Sequence, residues 1–221
     1  MKVKEKIIEF ILKFCASITI LTTVGIIAVL LFESIAFFKS VSIFEFLTDT
    51  QWTPLYSEKH FGILALVSGT FLTAAIAIAV ALPIGLTIAI YLNMYAPTSF
   101  RKTLKPFLEI LAAIPTVVYG FFALTVVTPF LQELIPGLAG FNALSAGLVM
   151  GIMIMPMVSS LSEDALYAVP KSLREGAYGM GSTRLQTSFR VILPAASSGI
   201  IVSVILAFAR AVGETMIVAI A

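Results

Sequence analysis

A cation and an anion interrupt an apolar stretch near the end of the sequence. Arg210 and Glu214 stand four positions apart in FARAVGETM, and Thr215 follows directly. A charge at the centre of a membrane-spanning helix costs about 2.5–3.5 kcal/mol on insertion scales, so such residues are usually functional and paired. A guanidinium offers a planar fork of donors that matches phosphate or carboxylate oxygens. Arg210 is therefore a candidate for binding an anion inside a membrane.

Three interpretations of this pair are open. The spacing of four residues places both charges on one helix face, so they could pair and only fix the packing of helices. Arg210 stands about 24 Å beyond Pro194 at ~1.5 Å per residue, which is too far for its side chain to reach the cytoplasmic surface. In the second interpretation, the far end of the segment already lies in the outer membrane interface. In the third interpretation Arg210 lines a path for an anion. Glu214 then orients the arginine, or accepts a hydrogen bond from a substrate oxygen that carries a proton, which sulfate lacks.

The composition indicates a protein that is embedded in a membrane. The 221 residues are 59% hydrophobic and 12% charged, whereas soluble domains are about 45–50% apolar and about 25% charged. We therefore predict an all-α, polytopic membrane protein. The net charge of +2 gives no indication of nucleic-acid binding. Cys15 and His60 are single residues of their kind, which excludes an intrachain disulfide framework and a multi-cysteine or multi-histidine metal site.

Five apolar segments are long enough to span a bilayer, which needs about 20 residues. They are 14–38, 62–95, 106–131, 143–167 and 195–221. The first exceeds the roughly 7–15 apolar residues of a signal peptide and lacks a clear cleavage site, so we expect a retained helix rather than a cleaved leader. The last segment ends within an apolar run, and we expect the natural chain to continue with a sixth helix.

The distribution of basic residues predicts the orientation, because cytoplasmic loops are enriched in lysine and arginine. Eleven basic residues fall on the side of the N-terminus and two on the other side, so the N-terminus is expected in the cytoplasm. The eleven are Lys2, Lys4, Lys6, Lys13, Arg101, Lys102, Lys105, Lys171, Arg174, Arg184 and Arg190, and the two are Lys39 and Lys59.

Proline and glycine residues within the apolar segments shape the predicted bundle. Pro83, Pro115 and Pro156 each remove a backbone hydrogen bond and favour a kink. Gly147 and Gly151 form a GxxxG pattern that lets a second helix approach closely. These features indicate a polytopic bundle but identify no substrate.

The long loop 169–194 has the pattern of two short helices. Pro170 suits the first turn of one helix, and glycines near position 180 end it. Ser182 is the expected cap of a second helix, and Pro194 marks the entry to the last membrane segment. Such a helix pair could dock into a groove of a cytoplasmic partner, or could be an ordinary interfacial pair.

The spacing within this loop resembles the EAA motif of ABC-importer permeases. Glu175, Ala177 and Gly181 are followed nine residues later by VILP, residues 191–194. The sequence departs from that motif at Gly176, in place of the first alanine, and at Val191, in place of isoleucine. The resemblance implies the fold of a type I ABC importer transmembrane domain and a coupling helix that contacts an ATPase. The residues implied in coupling are Glu175, Gly176, Ala177, Gly181, Val191, Leu193 and Pro194.

A narrower resemblance covers most of the chain from about residue 41. Three stretches are similar to permeases of the phosphate-specific (Pst) branch of ABC importers: RAVGETM, LEILAAIPTVVYGFFAL (108–124) and QWTP (51–54). The stretch QWTP resembles the PstC family more than the PstA family. The resemblance implies that Arg210, Glu214 and Thr215 line a path for inorganic phosphate.

The partners implied by this resemblance are a second permease subunit, a dimer of ATP-binding cassette ATPases and an extracytoplasmic phosphate-binding protein. The sequence contains no GxxxxGK[ST] phosphate loop, so we expect a transport subunit that is not an enzyme and needs no cofactor. Residues 1–60 are expected to hold the cytoplasmic N-terminus, first helix and external loop. Residues 61–221 would form the permease core, in a bacterial or archaeal cell membrane.

Several other polar and aromatic residues have two interpretations. Trp52 could anchor the external loop in the membrane interface or contact the binding protein. Ser68, Thr70 and Thr73 could line the path or bond to their own helix. Glu109 is expected near the cytoplasmic interface beside Lys105. The remaining set, Met150, Met153, Met155 and Met157, is expected to serve packing.

Rival functions are an ABC permease for molybdate or sulfate, an ion-gradient-driven transporter or channel with Arg210 and Glu214 as gate or proton relay, and a membrane scaffold. The first shares the coupling loop but not RAVGET. The second leaves the EAA-like spacing as coincidence, and the third predicts that Arg210 affects assembly alone.

Overall fold

The structure is a computed structural model that describes residues 2–221. Apart from an isolated bridge between Trp52 and Phe61, the regular structure of these residues is helical. The helices are α1 (Lys2–Phe38), α2 (Ile43–Thr48), α3 (Ile63–Met94), α4 (Thr98–Ala113), α5 (Thr116–Phe122), α6 (Thr128–Leu134), α7 (Ala143–Tyr167), α8 (Lys171–Gly179), α9 (Arg184–Thr187), α10 (Leu193–Ala195), α11 (Ser197–Val212) and α12 (Met216–Ile220), with π-helical turns at Ala123–Val127 and Ser188–Ile192.

Five stretches of the described residues are long and apolar enough to cross a membrane. They are Glu5–Phe38, Ile63–Met94, Thr116–Leu134, Ala143–Tyr167 and Ser197–Ile220. The number agrees with the sequence, and so do the bounds of the second and fourth segments. The chain is a multi-pass membrane protein.

The predicted third segment, 106–131, is wrong at its start. The chain leaves the helical conformation at Ile114 and Pro115, so α4 ends before that point and the spanning stretch begins at Thr116. Proline disfavours a helical conformation of the residue before it, and here it separates two helices instead of kinking one. Pro83 and Pro156, by contrast, lie inside α3 and α7.

The chain forms two compact units, and the first extends to Val67. Aromatic rings of this unit meet edge to face; Phe37 lies 5.8 Å from Phe46 and 5.5 Å from Phe61 between ring centroids. Beside them, His60 Nδ1 lies 2.8 Å from Asp49 Oδ2. The backbone N–H of Gln51 donates to Asp49, and this bond together with His60 holds the pKa of the Asp49 carboxyl below its ordinary value.

The second unit, residues 68–221, is built around α7. Of the five spans α7 is the most buried, with 61% of its apolar window inside the chain against 28% or less elsewhere. A β-carbon added to Gly151 would lie 2.9 Å from the Ala77 carbonyl oxygen, and one at Gly147 would lie 2.7 Å from Ile76 Cβ. The GxxxG pattern therefore lets α3 and α7 touch through their backbones, as predicted.

A smaller apolar core lies beside the loop 169–194. Its buried members are Ala89, Leu166, Val169, Ile192 and Ala196. Ala89 belongs to α3 and Leu166 to α7, Val169 follows α7, and Ile192 and Ala196 lie just before α11. The loop is therefore anchored on the membrane helices by ordinary hydrophobic burial.

Candidate functional site

The helix that carries Arg210 is broken just beyond that residue. α11 ends at Val212, and α12 begins at Met216, so Gly213, Glu214 and Thr215 lie outside both helices. The Glu214 Oε1 atom accepts from the backbone N–H of Met216 at 3.1 Å and more weakly from the next residue. It thus satisfies donors that a helix start would otherwise leave unpaired.

Arg210 and Glu214 are not paired, although their spacing of four predicts one helix face. Among the described residues, Arg210 forms no ion pair and no hydrogen bond within the distance limits of those contacts. The reason is the break at Gly213, which removes Glu214 from the helical repeat and directs its carboxylate to the backbone of α12. Arg210 is exposed and Glu214 half-buried within this chain. A self-satisfied pair therefore does not explain the arginine.

A cavity of about 140 Å³ lies against Arg210. Its polar lining includes Lys105 and Glu109 of α4 and Ser160 of α7, together with Arg210. Pro156 contributes an apolar part of the wall. The position expected for Glu109, beside Lys105, agrees with this arrangement. Residues from three helices thus bring charges of both signs to one cavity inside the membrane domain.

A charge network joins α4 to the end of α7. Glu163 is 1% exposed and forms ion pairs with Arg101 at 2.5 Å and Lys105 at 3.5 Å. Lys105 also reaches Asp164 at 3.1 Å. Neither Glu163 oxygen has well-directed hydrogen-bond geometry, so its pairing rests on charge. A buried carboxylate is costly unless it is paired, and α4 supplies both cations.

These carboxylates keep Lys105 charged. Burial lowers the pKa of the Lys105 ammonium, but the hydrogen bond to Asp164 and the charge of Glu163 outweigh it and raise the pKa above its ordinary value. Arg101 also stacks over the Tyr167 ring, 4.9 Å from its centroid. A second cavity of about 480 Å³ includes Arg101, Lys105 and Glu109 in its lining. Lys105 and Glu109 therefore line both cavities.

The residues of the predicted coupling motif lie on a short exposed helix and the turn after it. Glu175, Gly176 and Gly181 are exposed, and Ala177 is half-buried. Gly181 has φ +83°, a conformation that side chains disfavour, so the turn after α8 needs glycine. No atom outside the local helix lies within 4 Å of a β-carbon built at Gly176, which leaves this side of α8 open.

The second helix of the loop begins one residue later than predicted. Thr183, not Ser182, is its N-cap; its hydroxyl accepts from the backbone N–H of Gln186, whose side chain accepts from the Thr183 backbone. This reciprocal capping box fixes the start of α9. Thr183 is the cap because Gln186 lies three residues after it and completes the capping box. The prediction of Ser182 as the cap did not consider this glutamine.

The C-terminal residues of the motif, 191–194, lie next to the small apolar core beside the loop. Val191 and Leu193 pack against that core, and Pro194 lies within α10. Arg174 Nη2 donates to Asn93 Oδ1 at 2.7 Å, which ties α8 to the end of α3. The motif thus combines an exposed face with residues that hold it in place.

The other singled-out residues have modest roles within the chain. The Thr73 hydroxyl donates to the carbonyls of Gly69 and Thr70, each at 3.0 Å, so Thr73 bonds to its own helix. Trp52 packs edge to face on Phe61. Met150 and Met153 are buried in the apolar core around α7, and Met155 and Met157 pack against that core, as expected.

Sequence reasoning missed the ion pairs of Glu163 and Asp164. They lie at the end of an apolar segment and could have been noticed as two adjacent carboxylates close to the membrane. Their partners on α4 lie about sixty residues earlier, and no spacing rule connects them.

Comparison with known proteins identifies the family. The family model for "Binding-protein-dependent transport system inner membrane component" matches residues 81–221. The chain belongs to this family. The family is a transport component of the membrane and is not itself catalytic, and its description implies a binding protein as partner.

Individual relatives narrow the similarity. The chain is 39% identical over 212 residues to a probable ABC transporter permease protein, YqgH, of Bacillus subtilis, covering 95% of this chain and 69% of that protein. It is 38% identical over 222 residues to the phosphate transport system permease protein PstC of Mesorhizobium japonicum (92% and 67% covered). It is 36% identical over 222 residues to the PstC of Haemophilus influenzae (91% and 70% covered).

A solved structure supports the same fold. The MetNI methionine ABC transporter, in inward facing conformations, matches with a TM-score of 0.52 and 22% identity, over 69% of this chain and 68% of that one. The type I ABC importer fold predicted from the coupling loop is therefore confirmed, as is the similarity to PstC permeases. The roles of individual residues stay predictions.

Proposed function

We propose that this chain is the transmembrane permease subunit of an ATP-driven importer of inorganic phosphate. Membership of the binding-protein-dependent permease family supports the transport role, and similarity to proteins named as phosphate permeases supports the substrate. The observation that carries the proposal is Arg210, a cation that lines a cavity inside the membrane domain and has no ionic partner among the described residues.

Arg210 would bind phosphate on its way through the membrane. An unpaired guanidinium in a low-dielectric site is costly, and a phosphate oxygen pair compensates that cost through two parallel hydrogen bonds. Glu214 and Thr215 would complete the path by forming the helix break beside Arg210. The Glu214 carboxylate accepts from the backbone N–H of Met216 and would thereby hold this break in place.

The coupling surface would receive the ATPase. Glu175, Gly176, Ala177 and Gly181 would meet a groove of an ATP-binding cassette subunit, since α8 leaves this side open. The proposed coupling set also includes Val191, Leu193 and Pro194, which lie behind α8 and would support it. The bond between Arg174 and Asn93 would transmit movement of α8 to the membrane helices.

The proposed assembly has further partners and a defined orientation. A second permease subunit would pair with this chain, two ATPases would dock on the coupling loops, and a phosphate-binding protein would deliver the ion outside. The N-terminus would lie in the cytoplasm of a bacterial or archaeal cell, on the same side as the basic loops.

The test is uptake of radiolabelled phosphate by cells whose own permease gene is deleted and replaced by the gene for this permease. We expect uptake that requires cellular ATP, persists when ion gradients are collapsed, and is not inhibited by excess sulfate or molybdate. Uptake of molybdate or sulfate instead would favour a permease for another oxyanion. Uptake that follows the ion gradient would favour a secondary transporter.

A further inference from the structure

Two opposite charges line one cavity without meeting. Arg210 and Glu109 both border the cavity of about 140 Å³. Within the part of the chain that the structure describes, neither side chain has an ion pair or a hydrogen bond. Opposite charges in a membrane domain attract strongly, so two that share a cavity and stay apart leave room for a third group between them.

The chemistry of that third group follows from the two side chains. Arg210 only donates hydrogen bonds, and the Glu109 carboxylate only accepts them. A bridging ligand must therefore present acceptor oxygens on one side and a hydroxyl on the other. An oxyanion that keeps one proton at neutral pH has both groups, whereas sulfate has acceptors alone.

Lys105 adds a second cation to the same wall. Its ammonium is held by Asp164 at 3.1 Å and by Glu163 at 3.5 Å, and it also lines the larger neighbouring cavity. The cavity of about 140 Å³ has room for about five water molecules at ~30 Å³ each, and so for a tetrahedral oxyanion.

We propose that Arg210, Lys105 and Glu109 form an oxyanion subsite in which Glu109 selects an oxyanion that carries a proton. The selection is a matter of rejection as well as attraction, because an unprotonated dianion would place its charge against the carboxylate. A site that hydrogen-bonds a substrate hydroxyl discriminates strongly against an analogue without it. The role in reading the proton, expected from the sequence for Glu214, thus belongs to Glu109. This inference rests on the proposed function.

In ordinary uptake the extracytoplasmic binding protein selects the anion before it reaches the permease, and this would hide any selection by the subsite. The test therefore supplies competing anions from the cytoplasmic side. The assembled importer is reconstituted in vesicles with ATP inside, and the binding protein with radiolabelled phosphate outside. The interior also holds increasing phosphate, sulfate or arsenate. Initial uptake rates then give an inhibition constant for each internal anion. Arsenate serves as a second oxyanion that carries a proton.

The expected result is a change in selectivity and not only in rate. In the wild type, internal phosphate and arsenate inhibit while sulfate is at least tenfold weaker. In Glu109→Gln the ratio of the sulfate and phosphate constants falls at least tenfold, which corresponds to about 1.4 kcal/mol. Glu109→Asp keeps the discrimination. Lys105→Gln weakens inhibition by both anions by the same factor.

A matched control removes a carboxylate elsewhere. Glu9 pairs with Lys13 at 2.7 Å in an exposed position, and Glu9→Gln should leave all constants unchanged. The proposal is overturned if Glu109→Gln keeps the sulfate-to-phosphate ratio within threefold of the wild type, or if internal phosphate does not inhibit the wild type. If Glu109→Gln fails to assemble, unchanged inhibition in Lys105→Gln overturns the subsite equally. A wild type that takes up no phosphate with ATP would refute the proposed function itself.

Discussion

Replacing Gly151 by alanine places a methyl group between two packed helices. The added β-carbon would lie 2.9 Å from the Ala77 carbonyl oxygen and 2.9 Å from Val80 Cβ. Carbon atoms at optimal separation lie about 3.5–4.0 Å apart. Because one of the two neighbours is backbone, a side-chain rotation does not relieve the contact, and α3 and α7 must separate locally.

The cost is estimated from overpacking. Inserting a methyl group into a well-packed core destabilises by about 1–3 kcal/mol. Gly25 provides the matched control, since no atom outside its own helix lies within 4 Å of a β-carbon built there. Both substitutions gain the same helix propensity, about 0.8–1.0 kcal/mol relative to glycine. The difference in stability between the two variants therefore reports the packing cost at Gly151.

The assay is the apparent melting temperature of the purified importer. For a chain of this size 1 kcal/mol shifts the melting temperature by about 2–4 °C, so Gly151→Ala should melt roughly 2–12 °C below Gly25→Ala. Equal melting temperatures would refute the close approach of α3 and α7 at Gly151.

Three further predictions concern the loops. The Gln51 backbone hydrogen bond and His60 lower the pKa of the Asp49 carboxyl. The ionised carboxylate therefore stabilises the loop 49–62 above the ordinary pKa of 3.8, and this contribution is lost as pH falls through the lower folded value. Hydrogen exchange of residues 49–62 should show this acid-induced opening in the wild type but not in Asp49→Asn. Arg174→Ala removes the 2.7 Å bond that ties α8 to α3 and should uncouple ATP hydrolysis from uptake, and an unchanged ratio of the two rates would contradict the anchor. Thr183→Ala removes the cap of α9 at a cost of about 1 kcal/mol, which faster amide exchange over 184–187 would reveal.

The number of spanning helices could be predicted from the sequence because each is encoded by a local run of apolar residues. Ala143–Tyr167 carries an apolar run in which charges occur only near its end, at Glu163 and Asp164, and its predicted bounds agree with the structure. The GxxxG of α7 likewise predicted a close helix contact, because small residues permit it whatever the partner is. The turn in the loop 169–194 was recognisable because the motif depends on turn residues, and Gly181 adopts the positive φ that only glycine readily supplies.

Two kinds of feature could not be predicted from the sequence: the positions of breaks between helices, and the contacts between helices that are distant in the chain. The break at Gly213–Thr215 displaced Glu214 from Arg210, and a spacing of four gave no sign of it. The break at Ile114 and Pro115 separated α4 from the span, although both parts read as one apolar run. The pairing of α4 cations with Glu163 joins residues about sixty positions apart, which only the tertiary structure reveals.

The most direct test of the account is phosphate uptake by the Arg210→Lys variant in cells that lack their own permease. Lysine keeps the charge but loses the planar fork of donors. A pathway role of Arg210 predicts normal membrane abundance with uptake reduced at least tenfold, while Lys13→Gln, which removes an exposed lysine from its pair with Glu9, transports like the wild type. Normal uptake by Arg210→Lys at normal abundance would contradict it and would assign the arginine a structural role.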